Sequence, residues 1–534
     1  MTTTLILHNG NIHTMDADLP IVSAVAISKN KITAMGADRY ILPLAGIGTQ
    51  VIDLKGKAVT PGLVDAHVHF MGYAITLKEI DLLDLADRAE VDRRIAQRAA
   101  ETPKGEWLQG RGWKNELWED KSFPTVQELD ALAPDHPCFL RDKSGHAGWA
   151  NSLALKAAGI DKDTLNPVGG EIQRDADGNA TGILFETGMQ LVYAAIPEPS
   201  PEYIVEAMRD AQQKCWEVGL TGIHDFDGPD CYKGLQALHS SGELGLRFYK
   251  NIPAAMIDHA VAVGMQTDSG DEWIRMGGIK IFADGALGPR TALMVEPYQG
   301  TTDTYGITVV DKEGMYEIAS KAAANNLSVT VHAIGDKANH DILDVYEAVR
   351  KEEAERGQGT KLRHRIEHVQ ILVEEDLNRL AELDVVASMQ PIHCTSDMEM
   401  ADRHWGERTQ YSYAWRTMLE SGALLVFGSD CPVEPIDPIL GIYAAVTRKK
   451  LDGSYAADGW HAEQKLTLEE TIRAFTLAAA QTAGTQSKQG SISPGKLADI
   501  TVFNRDIFNV DVEELKETKI SATIVDGDLK YSAL

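Results

Sequence analysis

The sequence predicts an α/β chain: a TIM-type (β/α)8 barrel, a small composite β-sandwich domain built from both termini, and a subdomain inserted after the first barrel strand. Three observations carry this. Eight short apolar runs alternate with helix-period segments from residue 63 onward. Both ends are written in short strands with Gly, Asn and Asp turns. About 150 residues separate the first two apolar runs, far more than one connecting helix needs.

Taken in order, TLILHNGNIHTMD, IVSAVAISKNKITAMG and VIDLKGKAVTPG read as strands and hairpins. The eight barrel strands are then Leu63 to His67, Thr221 to Asp225, Leu246 to Lys250, Gly278 to Ala283, Ser328 to His332, Leu362 to Glu367, Val385 to Met389 and Leu425 to Ser429. Helical patterns run Tyr203 to Glu217, Lys312 to Asn325, Ala338 to Lys351, Glu374 to Leu383 and about Leu468 to Gly484. The text GGEIQRDADGNATGILFE, in the long gap, is hairpin-like. KLADITVFN and ISATIVDGDLKYS return to strands. The expected domains are 1–60 and 487–534 for the β-sandwich and 61–486 for the barrel, with the insertion at about 104–193. Neither solenoid repeats nor low-complexity tracts interrupt the pattern.

Composition narrows the partners. The 534 residues carry 79 acidic against 51 Lys and Arg side chains, a net charge of -28 that repels phosphate backbones and anionic headgroups. Nucleic acid and membrane surfaces are therefore excluded as expected partners; the charge does not identify a substrate, and a small molecule is expected from the motifs below, with a homo-oligomer left open. The start MTTTLILHNGNIHTMD lacks a basic segment followed by a long apolar one, so a cytoplasmic location is expected. Cys138, Cys215, Cys231, Cys394 and Cys431 are odd in number, widely spaced and without a CxxC pair, which reads as reduced thiols rather than a disulfide framework or a cysteine zinc site.

The chemistry concentrates at strand ends. His67 and His69 in TPGLVDAHVHF lie two apart and project to the same side of one strand, so two imidazoles can meet one metal. His332 after SVTV, His368 after HRIE and Asp430 after LLVFGS finish three further strands. Barrel enzymes assemble their sites at that rim. A strand-end His or Asp alone often serves only to cap a loop; five together point to a metal centre. His364, four residues before His368, is the competitor for its role. Lys280 interrupts the apolar run GGIKIFADG, where a lone ammonium is costly to bury. Two readings fit it: an ion pair with a carboxylate, or a carbamylated lysine whose two oxygens bridge two cations.

In TPGLVDAHVHF, GIKIFADGALGPRTA, VTVHAIGDKAN, RHRIEHVQ, FGSDCPVEP and SPGKLADITVF, spread in this order over nearly the whole chain, the sequence resembles the amidohydrolase superfamily and within it the YtcJ-like branch. The resemblance implies His67 and His69 on the more buried metal, Lys280 bridging, His332 and His368 on the second metal, and Asp430 at the end of the eighth strand. It implies a metal-dependent hydrolase that cleaves a non-peptide C–N bond, with two Zn²⁺ ions or other divalent metals. Asp430 is then the general base and acid, passing a proton from water to the departing nitrogen. The alternatives are a metal-site deacetylase or isomerase, or a regulatory protein that keeps the barrel without catalysis. Arg290, His146 and Trp113 are expected to contact substrate, Trp113 as an apolar wall. Asp336 is expected to cap the helix after His332, or else to orient that imidazole.

Overall fold

The computed structural model describes residues 2–83, 85–359 and 361–534. The chain forms two compact units, one of residues 1–73 with 208–534 and one of residues 74–207.

In the first unit eight parallel strands form one sheet in sequential order: β1 Leu63–Val68, β2 Leu220–Asp225, β3 Arg247–Pro253, β4 Ile274–Phe282, β5 Val329–Ala333, β6 Arg365–His368, β7 Val386–Met389 and β8 Leu425–Phe427. The Asp430 N–H donates to the His67 carbonyl at 2.7 Å, and the His69 N–H to the Cys431 carbonyl at 2.8 Å. The last strand is thereby drawn against the first. Gly428 permits this approach, because a Cβ there would lie 2.5 Å from the His67 nitrogen.

Strands from both chain ends build two more sheets. Ala58–Pro61 pairs antiparallel with Ile500–Phe503 inside a six-stranded sheet that also holds Asn11–His13, Ile21–Val22, Ile520–Val525 and Asp528–Ser532. A four-stranded sheet holds Leu5–His8, Ala24–Ser28, Lys31–Gly36 and Gln50–Asp53. Leu5, Leu7, Val25 and Ile27 of the smaller sheet share one apolar cluster with Ile12, Val59, Val502 and Ile524 of the larger. Period-2 alternation produces this, since each sheet turns one apolar face inward.

The second unit has a six-stranded mixed sheet in the order Gly170–Arg174, Ala180–Glu186, Ala147–Ala150, Cys138–Asp142, Leu108–Trp113 and Ile80–Asp81. The hairpin text falls on its first two strands, whose turn is closed by Asp175 and Asn179. Helix Val126–Leu132 starts with a full capping box of Thr125 and Glu128.

Several elements depart from the sequence reading. β4 begins four residues early because Gly277 and Gly278 are strand residues rather than a turn: a Cβ on Gly277 would meet Asn251 of β3 at 2.6 Å. β6 begins late, at Arg365; His364 just before it accepts the Val329 N–H on its ring Nδ1 and the Val386 N–H on its carbonyl. The helix expected from Glu374 to Leu383 is a 3-10 turn, Glu374–Asp376, followed by Arg379–Glu382, with Asp376 turned inward onto His340. The helix expected from Leu468 to Gly484 is two, Leu468–Ala474 and Leu477–Thr482, because the Phe475 carbonyl accepts the Val64 N–H of β1 rather than a helical one. Among the described residues no helix is long and apolar enough to cross a membrane.

Candidate metal centre

The carboxyl ends of β1, β4, β5, β6 and β8 carry the candidate ligands. Ligand atoms of His67, His368 and Asp430 all lie within 4.8 Å of one another. Asp430 Oδ1 is 3.4 Å from His67 Nε2 and 3.5 Å from His69 Nε2. The rings of His332 and His368 are 4.5 Å apart, and those of His67 and His368 5.0 Å. Tetrahedral ligands about 2.0–2.1 Å from one zinc are about 3.4 Å apart from each other, so the Asp430 separations have the right scale.

Each imidazole has one nitrogen committed to a protein oxygen. His67 Nδ1–H donates to Glu367 Oε2 at 2.6 Å, His69 Nδ1–H to Asp227 at 3.2 Å, His368 Nδ1–H to Gln390 Oε1 at 2.8 Å, and His332 Nε2–H to the Gly285 carbonyl at 2.9 Å. Carboxylate and carbonyl oxygens only accept, so the tautomers follow. The second nitrogen of His67, His332 and His368 keeps its lone pair for an ion, and that of His69 does so once it gives up its proton.

Charge supports this. Burial lowers His67 to about 4 and, reinforced by Lys280, His332 to about 3, and it holds His368 well below the ordinary range. Neutral imidazole is the metal-binding form. His69 goes the other way: burial would lower it, but Asp227 and Asp430 raise it to about 10, so a cation must compete with a proton for its Nε2. Burial would raise Asp430, yet His67 and hydrogen bonds from His393 and His69 hold its carboxyl well below the carboxylate range. His368 and Asp430 both sit in the left-handed backbone region, at φ +79° and +62°. Such strain costs on the order of 1–3 kcal/mol per residue and marks functional positions.

Lys280 is 4% exposed. Among the described residues no carboxylate lies within ion-pair distance of its amine and no hydrogen bond reaches it. Its Nζ stands 4.6 Å from the Phe226 ring and 4.9 Å from the Phe282 ring. The ion-pair reading therefore fails. Burial pulls the amine down to about 8, against the opposing pull of Glu367 and Asp430. Phe226 in turn stacks on His67 at 4.0 Å.

The competitor His364 is fully buried, donates to Glu353 at 3.0 Å and accepts from Val329, so it belongs to the packing of β6 against helix Asp336–Glu355. Asp336 is no cap: Gly335 is the N-cap residue, and Asp336 accepts the Val295 N–H at 2.7 Å. The carboxylate beside His332 is instead Asp284, at 3.6 Å. Arg290 is exposed, in the loop after β4. His146 is exposed and paired with Glu186 at 2.9 Å. Trp113, expected as a pocket wall, is 1% exposed in the core of the second unit, its indole N–H donating to the Leu140 carbonyl at 2.8 Å. Burial leaves it almost no surface to offer a substrate.

Sequence reasoning passed over Glu367, Asp227, Gln390 and His393. Glu367 is fully buried, and burial would raise its carboxyl; Arg365 and His67 hold it well below the usual range. It also accepts from Ser388 Oγ at 2.6 Å. Its signal lay in plain view as the residue before His368. His393 Nε2 donates to Asp430 Oδ2 at 3.2 Å, leaving Oδ1 turned to His67 and His69.

Comparison with known proteins agrees with the fold. The family model described as "Amidohydrolase family" matches residues 50–531. The chain is 34% identical to YtcJ of Bacillus subtilis (strain 168), over 98% of this chain and 99% of that one. It is 30% identical to N-substituted formamide deformylase of Arthrobacter pascens, over 99% and 98%. The crystal structure of an uncharacterized metal-dependent hydrolase from Pyrococcus furiosus superposes with a TM-score of 0.77 at 27% identity, covering 95% of this chain and 100% of that one. With the eight-stranded parallel sheet and a family match over most of its length, this chain belongs to the amidohydrolase family.

Proposed function

We propose that the chain is a metal-dependent hydrolase that cleaves a non-peptide, amide-type C–N bond of a small molecule, using zinc or another divalent metal held by His67, His69, His332, His368 and Asp430. The observation that carries the reading is the set of four imidazoles, each with one nitrogen fixed by a protein oxygen, which leaves the other for an ion, at His69 in exchange for a proton. A divalent cation so held supplies Lewis acidity, lowering the pKa of a water and polarising a carbonyl. Asp430, kept ionised by its neighbours, accepts the proton of the attacking water and delivers it to the departing nitrogen. Arg290, on the loop after β4, is proposed to contact the substrate.

Lys280 is proposed to be carbamylated and to complete a site for two ions. A buried amine without a counter-ion is relieved of its burial cost when CO₂ converts it to an anion that two cations would share. The two terminal sheets are read as one composite β-sandwich on the scheme 1–60, 61–486 and 487–534, and the chain as cytoplasmic.

The test joins metal and substrate. Purified protein is stripped with a chelator, reloaded with zinc, manganese or cobalt, and given a panel of small amides, including N-substituted formamides, with amine release measured. Metal-dependent amine release from part of the panel is expected. Hydrolysis that continues in metal-free protein, or a fully loaded protein that cleaves esters and no C–N bond, overturns the proposal.

A further inference from the structure

A second cluster of ligand-type groups lies behind His69, and the proposed mechanism uses only its Asp227, as the partner of that ring. Atoms of Asp225, Asp227 and Cys231 lie within 4.8 Å of one another, a spacing that suits a cation. One cation is already there. Lys250 of β3 is 2% exposed, and its Nζ stands 2.7 Å from Asp225 Oδ2. It also donates to the Asp227 carbonyl and, at 3.1 Å, to the Asn251 carbonyl. Three acceptors match the three N–H groups of an ammonium.

The two carboxylates beside it tie down the chain after His69. Asp225 accepts the Phe70 N–H at 2.9 Å. Asp227 accepts the Met71 and Gly72 N–H groups at 2.6 and 3.0 Å, and the His69 Nδ1–H at 3.2 Å. The His69 side chain is 31% exposed where that of His67 is 1%, so packing does little to fix its ring. Its orientation depends on Asp227, and the place of Asp227 depends on Lys250.

We infer that Lys250 is a resident internal cation and a positioning residue: its ammonium fixes the turn at Asp227 and so aims His69 Nε2 at the place where Asp430 Oδ1 lies. Without that charge, Asp225 and Asp227 repel one another in a buried setting and the turn loses its tether. Lys280 and Lys250 are then opposites on adjacent strands. Lys250 is saturated and chemically inert, whereas Lys280 has no anionic partner among the described residues and is open to reaction.

A cavity of about 170 Å³ lined by Lys250, Gly228, Pro229, Met256, Met265 and Met276 offers a way to test this, because a small amine can reach the ammonium position from it once the side chain is cut back. The experiment measures zinc affinity by chelator competition, and the visible spectrum of the cobalt form, for wild type, Lys250→Ala and Asp227→Asn. Lys250→Ala is expected to lose about 10–100-fold in affinity for one ion, with a changed cobalt spectrum. Methylamine should restore both, and tetramethylammonium, which has no N–H donor, should not. Asp227→Asn should weaken the same ion while keeping thermal stability closer to wild type, which covers the case in which Lys250→Ala fails to fold. Wild-type affinity and spectrum in either variant, with only a lower melting temperature, overturn the inference. It rests on the reading of His69 as a ligand. A wild-type protein that binds no divalent metal sinks both, whereas tight wild-type binding with indifferent variants sinks this inference alone.

Discussion

Replacing Glu367 with Gln separates the role of the carboxylate in holding His67 from its role in the fold. Glu367 accepts from His67 Nδ1 at 2.6 Å, from Ser388 Oγ at 2.6 Å and from the Arg365 guanidinium through two nitrogens. Two losses follow, and their sizes differ. Arg365, 1% exposed, keeps only neutral partners in the Ala66 carbonyl, Ser388 and His224, and breaking a buried pair from one side costs about 3–5 kcal/mol. Loss of the anion behind a metal-binding imidazole costs about 10–100-fold in metal affinity, or about 1.4–2.7 kcal/mol. Stability thus falls further than affinity, within a total of about 5–15 kcal/mol, so the variant should fold with a lowered melting temperature. The assay is zinc affinity by chelator competition at a temperature where the variant is folded by circular dichroism. Ser388→Ala is the control, because it removes two hydrogen bonds of about 1 kcal/mol each, to Glu367 and from Arg365, without touching His67. An affinity drop in Glu367→Gln absent from Ser388→Ala is expected. Equal affinity in wild type and Glu367→Gln would refute the orienting role.

Asp430→Asn should lower kcat by about 10²–10⁴-fold with most metal retained, since an amide cannot carry the proton; near-normal turnover in the loaded variant would remove Asp430 from that role. Lys280→Ala should lose metal and activity together, and millimolar acetate or propionate should recover part of both; a density map of active, loaded enzyme with an unmodified amine would end the carbamate proposal. Glu470 is held at about 2 by hydrogen bonds from Arg416, over the opposing effect of burial, against an ordinary value near 4.5, and it completes the capping box with Thr467. A depressed carboxyl stabilises the fold above the unfolded pKa and loses that contribution as pH falls through the folded one. Glu470→Gln should therefore cost about 1–2 kcal/mol at pH 7, after solvent screening, and the melting-temperature gap to wild type should close between about pH 4.5 and pH 2. A gap constant with pH contradicts this sign.

Local chemistry alone determined a good part of this protein. Short apolar runs that end in His or Asp announce barrel strands with a reactive rim, because a strand buried on both faces tolerates polar groups inside it only where partners or chemistry offset their burial. The spacing of His67 and His69 needs nothing beyond the pleat. Period-2 reasoning fails at β6, where it puts His364 and His368 on one face. The left-handed backbone at His368, φ +79°, swings that ring into the site and leaves His364 among the helices. No propensity in RHRIEHVQ foretells this, since the strain is sustained by tertiary contacts. Trp113 is a similar case. An indole reads alike in a pocket and in a core, and only the partner of its N–H tells which. Tertiary structure also decided which nitrogen of each imidazole is free, which acid lies behind His67, and why two buried lysines on neighbouring strands differ. A tautomer or a buried charge is set by whatever atom lies about 3 Å away. For His67 that atom belongs to a residue 300 positions along the chain.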